Sequence, residues 1–249
     1  LLLAALLFLA YSCKDDEADA NAISTSEAAE LTAAAIASNS GGASGFVQAS
    51  ATASATDTDN DLRSASYQKI LADSTFSDSG TISSTSSGVI GTWNYWWKYK
   101  HELFLEGDLL LSTIKSDFEY NGAVDLPKYS SSHNGLGHFE YTDLLTNSLV
   151  LDTIWTLNGT FTRNGEHTFK YTAKKINSTT DIRFQDCEVS TEGSRNIVSG
   201  LAFVTIKGTT SDNTAFEYNG TVTFIGNNTA TINIDGDVYT VNTSTGVVN

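Results

Sequence analysis

The sequence is poor in proline, cysteine and basic residues. Its 249 residues include one proline, two cysteines and no methionine, and 14 Lys and Arg face 29 Asp and Glu, for a net charge of −15. An excess of acid this large repels phosphate backbones, so no nucleic-acid partner is expected. It also gives no electrostatic attraction to an anionic membrane surface. The remaining composition, 40% hydrophobic and 10% aromatic, is sufficient for a folded core.

Motifs of common enzyme classes are missing as well. The chain has no GxSxG elbow, phosphate-binding loop, GxGxxG, HExxH or CxxC. His133 and His138 flank a glycine-containing segment and could share a metal ion, but no third ligand is evident beside them. We therefore assign no catalytic residue, no metal and no cofactor. Whether the chain is an enzyme stays open, with the balance against it.

The amino-terminal segment predicts export and lipid attachment. Residues 1–10 read LLLAALLFLA, which suits the apolar region of a signal peptide and is too short to span a bilayer. The chain does not begin with Met, so we expect that the basic start of this signal is missing. The following Ala10-Tyr11-Ser12-Cys13 resembles the lipobox of bacterial lipoproteins. That resemblance implies cleavage after residue 12, acyl chains on Cys13 and stable membrane attachment.

The four residues after Cys13 carry a second resemblance. They are Lys14, Asp15, Asp16 and Glu17. A lysine followed by acids just past the lipidated cysteine resembles the export tag of surface-exposed lipoproteins in Bacteroidetes-type bacteria. It implies an outer-membrane, cell-surface location. If Cys13 is acylated, Cys187 has no disulfide partner. Cys187 lies in a segment of alternating apolar and polar residues, which predicts that its small side chain is buried.

Four segments follow from the composition. We predict a signal peptide over 1–12, a lipid-anchored acidic spacer over 13–23 and a β domain over 92–249. Between them, 24–91 is predicted to hold one short helix and a Ser/Ala/Thr-rich tract of low order. Ser24 and Glu27 form a capping box that starts the helix at about residues 25–37. Because its apolar residues are nearly all alanine, this helix needs a partner to dock on.

An aromatic strand opens the β domain. Alternation over residues 93–105 places Trp93, Tyr95, Trp97 and Tyr99 on one face and Trp96 on the other. Large aromatic side chains supply burial energy to a core, and they also stack on sugars. The first face is the natural core face. The ligand-binding candidates are Trp96 on the opposite face, together with Trp97 and Tyr99 if the aromatic face lines a groove.

The turns can be predicted from which side chains would lie opposite one another across each pair of strands. Loops at 226–228 and 235–236 keep apolar residues opposed, so residues 214–242 form a three-stranded meander. Turns at Asn158-Gly159 and Asn219-Gly220 would oppose apolar with polar side chains, so both pairs are predicted within strands. A loop at 164–166 is predicted to pair Phe161 with Phe169. An echo of TIK followed by FEYNG, near residues 113–122 and 205–220, suggests related strand–turn–strand units.

The fold prediction is all-β, either an antiparallel two-layer sandwich or a curved, partly closed barrel. The preferred function is a lipid-anchored surface domain that binds a glycan or an envelope protein, or has a structural role. A polysaccharide hydrolase is a second possibility, and an envelope-assembly or lipoprotein-carrier role is a third. The hydrolase predicts two carboxylates across a cleft, and the carrier predicts an apolar groove for acyl chains.

Overall fold

The computed structural model describes residues 22–52, 74–85, 92–106, 110–126, 128–146, 150–151 and 153–249. Side chains are described for 22–52, 113–126, 128–144 and 153–249. Two helices, α1 and α2, are followed by strands β1 to β12. Their bounds are α1 Thr25–Ile36, a 3₁₀ turn Ser38–Ser40, α2 43–52, β1 Ser74–Thr85, β2 Thr92–Glu106, β3 Leu110–Asp125, β4 Tyr129–Thr142, β5 Leu145–Thr146, β6 Val150–Leu151, β7 Ile154–Phe169, β8 Lys174–Ser190, β9 Ile197–Thr210, β10 Ala215–Gly226, β11 Thr229–Ile234 and β12 Asp237–Asn242.

Ten of the strands form one antiparallel sheet. Its order is β1-β2-β3-β4-β7-β8-β9-β10-β11-β12, so nearly every strand pairs with its neighbours in sequence, and β5 and β6 form a separate small hairpin. The predicted all-β fold is confirmed. In the described strands the architecture is a single curved sheet with β1 and β12 at its edges, rather than two packed sheets.

The carboxy-terminal turns are confirmed residue by residue. Phe224 pairs with Ala230 and Val222 with Ile232 across the first turn. Ile232 pairs in turn with Tyr239 across the Asp235-Gly236 turn. The Asn219-Gly220 pair lies inside β10, and the Asn158-Gly159 pair lies inside β7 at a break in register. Side-chain phase was therefore sufficient to separate turns from mid-strand Asn-Gly pairs.

Two strand predictions are wrong. Residues 164–166 are not a loop, because β7 continues through them and Phe161 pairs with Ile182 of β8. The first copy of the sequence echo lies within β3 alone, whereas the second spans β9, a turn and β10. The two copies are therefore not equivalent units.

The sheet also starts before the predicted boundary at residue 92. Strand β1, Ser74–Thr85, pairs along its length with β2. The low-order tract predicted before the β domain is likewise wrong over residues 38–52, where the chain forms the 3₁₀ turn and α2. Val47 and Ala51 of α2 are fully buried. Burial against the sheet explains why so polar a segment is ordered.

Helix α1 has the predicted capping box. The Ser24 side chain accepts from the Glu27 backbone, and the Glu27 carboxylate accepts from the Ser24 backbone. Every residue from Leu31 to Ala37 is buried. Alanine is a small side chain with high helix propensity, and it lets a helix approach surrounding strands closely. The alanine-rich face that made this helix marginal in isolation thus suits a helix enclosed by a sheet.

The sheet curves around this helical segment. Helix α1 contacts strands β8, β9, β11 and β12. Phe46 of α2 stacks on Phe118 of β3 and lies near Phe161 of β7. Because strands from β3 to β12 reach the same two helices, the face toward the helices is concave. We call it the inner face, and the solvent-facing side the outer face.

Candidate ligand-binding site

A trough crosses the outer face of the sheet. Its volume is about 890 Å³, and it runs over the five adjacent strands β3, β4, β7, β8 and β9. The outer-face positions that line it are Asn121, Ala123, Ser132, Asn134, Asn164, Glu166, Asn177, Thr179 and Lys207. Eight of these nine side chains are polar, so the trough suits a hydrophilic ligand.

The strand register aligns the amides in a transverse row. Asn121 lies opposite Asn134, Asn134 opposite Asn164, and Asn164 opposite Thr179. Thr179 lies opposite Lys207 at the far end of this row. Four intervals between neighbouring strands give the row a length of roughly 19 Å. We call these five positions the amide row.

Glycines beside the amide row allow a close approach of the neighbouring strands. Asn121, Asn134 and Asn164 are each followed by glycine. A Cβ on Gly135 would lie 1.9 Å from the Thr162 carbonyl oxygen, and one on Gly165 would lie 2.5 Å from the Ser132 carbonyl oxygen. Neither position can hold a larger residue without moving the neighbouring strand. The Asn-Gly pairs at residues 134 and 164 therefore combine a close approach of neighbouring strands with an amide side chain in the trough.

The side chains of the trough are largely uncommitted. Asn164 accepts a hydrogen bond from Thr179 at 2.7 Å. Among the described residues, Asn134 and Asn177 have no recorded side-chain partner, and both are exposed. An amide offers two donors and an acceptor with two lone pairs, so these groups can bind hydroxyls in either direction.

The inner face of the same strands is chemically different. Arg163 is 1% exposed and donates from Nη1 to the carbonyls of Ala34, at 2.7 Å, and Ser40, at 3.0 Å. Its Nη2 lies 2.9 Å from Nδ1 of His133. The guanidinium thus caps the carboxyl end of α1, where the helix dipole favours a cation. This arrangement anchors α1 to β7.

Two buried histidines complete this inner cluster. His167 Nδ1 lies 2.5 Å from the Tyr129 hydroxyl, and His133 Nδ1 lies 2.9 Å from the Ser131 hydroxyl. Burial, reinforced by the Arg163 charge, lowers the pKa of His167 to about 3. The same causes hold the pKa of His133 well below its ordinary value. Both imidazoles are therefore neutral at pH 7 and serve as hydrogen-bonding core groups.

The register places the sequence-predicted aromatic residues on both faces. Trp96 lies opposite Asn121, so its position continues the amide row onto β2. Trp97 lies opposite Tyr120 and Tyr99 opposite Phe118, and both of those partners are buried on the inner face. Directly opposed residues share a face, so Trp97 and Tyr99 occupy inner-face positions. A ligand-binding role for these three aromatic residues stays a prediction.

The structure also places most of the other residues that the sequence analysis singled out. His133 is buried on the inner face, whereas His138 is exposed and lies 2.6 Å from Asp117, so the two histidines cannot share a metal. Cys187 is buried as predicted, and burial raises its thiol pKa to about 11. Cys13 and the Lys14–Glu17 tag lie outside the described residues.

The amide row itself was missed from the sequence. The sequence contains three Asn-Gly pairs, at residues 121, 134 and 164, and in each pair the asparagine stands at a polar position in the alternation of its strand. What the sequence did not supply was the register that brings the three pairs together. The misassigned loop at 164–166 also removed one of them from consideration.

No group of three metal-ligating side chains occurs in the part of the chain that the structure describes. Nor do the described helices include one long and apolar enough to cross a membrane. No family model, curated protein or solved structure matches this chain. The geometry of the trough is therefore the feature that indicates a function.

Proposed function

We propose that this chain is a lipid-anchored surface protein whose β domain binds a neutral glycan in the outer-face trough. The observation that carries the proposal is the amide row, a line of exposed and half-buried polar side chains, three of them asparagines, across adjacent strands. Its length suits a chain of several sugar units rather than one small molecule. Asparagine amides both donate and accept, as the hydroxyl groups of sugars require.

The charge of the trough favours a neutral ligand. Among the described lining residues, Glu166 and Lys207 contribute one charge of each sign. The chain as a whole carries a net charge of −15, which repels polyanions at long range. An uncharged polysaccharide avoids that repulsion, and its hydroxyl groups can still form hydrogen bonds with the asparagine amides.

Trp96 would extend this site by stacking. Its register position continues the amide row, and aromatic rings pack well against the apolar faces of sugars. We include Trp96 as the aromatic member of the proposed site. Trp97 and Tyr99, at inner-face positions, are not included.

The display part of the proposal is supported by the sequence around Cys13. The lipobox-like Ala10–Cys13 and the tag-like Lys14–Glu17 favour acylation and outer-membrane attachment at the cell surface. Mass spectrometry of the mature protein should find acyl chains on an amino-terminal Cys13. Protease treatment of intact cells should remove the β domain. An unmodified Cys13 thiol would contradict the anchor, and full protection from protease would contradict surface exposure.

Binding can be tested with the chain carrying Cys13→Ser, which keeps it free of lipid. On an array of neutral and acidic polysaccharides, we expect binding to a neutral member. Replacing Asn134 by Ala should weaken that binding about tenfold, since it removes hydrogen bonds inside the site. Asn219→Ala is the matched control, because Asn219 is an exposed strand asparagine outside the trough. Equal losses in both variants, or preference for acidic glycans, would contradict the proposal.

The other two functions have less support. A glycosidase requires a pair of carboxylates across the substrate, and Glu166 is the single carboxylate among the described residues lining the trough. A lipoprotein carrier requires a wide apolar groove. Over the described residues, the concave face that would provide such a groove is occupied by α1 and α2.

A further inference from the structure

A second, apolar cavity lies at one end of the curved sheet. Its volume is about 310 Å³. Ala34 and Ser40 of the helical segment form its floor, and both are almost fully buried. The walls come from three residues between β3 and the start of β4, Leu126, Lys128 and Tyr129, and from residues 245–248 of the carboxy-terminal tail. This cavity shares no lining residue with the outer-face trough.

The rim of the cavity is unusually exposed for apolar side chains. Tyr171, in the β7–β8 turn, is 78% exposed, and Val247, in the tail, is 51% exposed. Leu126 and Val248 lie further in and are partly buried. Apolar groups around an apolar opening indicate a contact surface for an apolar ligand. The volume is near the lower limit of about 300 Å³ for small-molecule pockets, so one slender chain fits better than a two-chain lipid.

The charges at the opening indicate the head group. Lys128 lines the cavity, is exposed, and has no carboxylate within ion-pair distance among the described residues. Two neighbouring lysines are already occupied, Lys170 by Asp125 and Lys174 by Glu27. Lys128 is therefore the one cation among the described residues lining this opening. Glu30 also lines the cavity; desolvation raises the pKa of its half-buried carboxyl, and the nearby Lys128 charge partly offsets that rise.

We infer that this cavity binds the chain of a single-chain anionic amphiphile, a fatty acid, whose carboxylate pairs with Lys128. The chain lies against Ala34, Leu126 and Val248, and the head group remains at the opening. Glu30, as the described lining carboxylate, opposes the anion. This site is independent of the glycan proposal, because it lies on different elements and recognises different chemistry.

Dodecanoate, used below its micelle concentration, is the test ligand for the Cys13→Ser chain, with binding followed by titration calorimetry. We expect one saturable site. Lys128→Glu should weaken dodecanoate binding about tenfold, whereas Glu30→Gln should strengthen it. Dodecanol, which has the chain without the charge, should bind equally well before and after Lys128→Glu. Lys175→Glu is the matched control, because Lys175 is an exposed lysine that does not line this cavity.

Three outcomes would overturn the inference. The first is the absence of saturable binding of both dodecanoate and dodecanol. The second is an equal loss of dodecanoate binding in Lys175→Glu, which would indicate a nonspecific charge effect. The third is tighter binding of dodecyltrimethylammonium than of dodecanoate, which would indicate that Glu30 and not Lys128 selects the head group. Circular dichroism of each variant establishes that the fold is retained.

Discussion

The two faces of the same strands have opposite roles. On β7, the consecutive residues Arg163 and Asn164 lie on opposite faces: the guanidinium is buried against α1, and the amide lines the trough. On β4, His133 and Asn134 show the same division. On the inner face, Arg163 and His133 make hydrogen bonds within the core. On the outer face, Asn134 has no side-chain partner among the described residues and is available to a ligand.

Polar residues on the two faces of this sheet have different consequences when they are replaced. Burial makes a polar group expensive unless it is satisfied, so the inner cluster should control stability. Exposed amides contribute little to stability, so the amide row should control recognition. Each variant described below changes a side chain on one face of the sheet and leaves the other face unaltered.

The largest effect is expected for Arg163→Met. Loss of the guanidinium leaves the Ser40 carbonyl without its Arg163 donor, whereas the Ala34 carbonyl keeps the Ser40 hydroxyl as a donor. We expect the free energy of unfolding in urea to fall by about 3 kcal/mol. Arg183→Met is the control, because Arg183 is exposed and contacts the Phe203 ring at 4.7 Å. That change should cost about 0.5–1 kcal/mol. If Arg163→Met were as stable as the parent chain, Arg163 would not anchor the helix.

The second effect is a loss of stability in acid. His167 has a pKa of about 3 in the folded chain because of burial, against an ordinary value of 6.5. The unfolded chain therefore takes up the proton first. Stability is complete above about pH 6.5 and declines by about 1.4 kcal/mol per pH unit below it, until the folded pKa is reached.

This acid sensitivity can be assigned with His167→Gln. Between pH 7 and 5, the parent should lose about 2 kcal/mol through His167, and the variant should lose correspondingly less. His133, whose pKa is also lowered by burial, contributes with the same sign in both chains. Glu30, whose pKa is raised by burial, contributes with the opposite sign in both. Identical slopes of unfolding free energy against pH in the two chains would show that His167 is accessible to protons in the folded state.

Much of the fold followed from alternation alone. The meander of residues 214–242 was predictable because its turns keep apolar residues opposed, and Ile232 lies opposite both Val222 and Tyr239 as expected. The capping box at Ser24 was equally local. Alternation over 154–169 was misinterpreted because Asn164-Gly165 has the composition of a turn. In the sheet, that glycine is required by the close approach of the Ser132 carbonyl oxygen.

Neither the ordered segment over 38–52 nor the trough could be predicted from local sequence. Helix α2 is stabilised by burial of Val47 and Ala51, not by its own propensity. The amide row exists only through the register between paired strands, which local sequence does not specify. Asn134 meets both Asn121 and Asn164 because two hairpins fold back in register. Composition marks such residues as polar, and tertiary pairing makes them a site.

The most direct test compares the adjacent variants His133→Ala and Asn134→Ala in one experiment. Thermal unfolding and binding of the neutral polysaccharide are measured on both. His133→Ala should lower the melting temperature, because it removes the contacts of His133 with Ser131 and Arg163. Asn134→Ala should change unfolding free energy by less than about 0.5 kcal/mol and weaken polysaccharide binding. If Asn134→Ala bound the polysaccharide as the parent does, or destabilised the chain as much as His133→Ala, the division between a structural inner face and a recognising outer face would be contradicted.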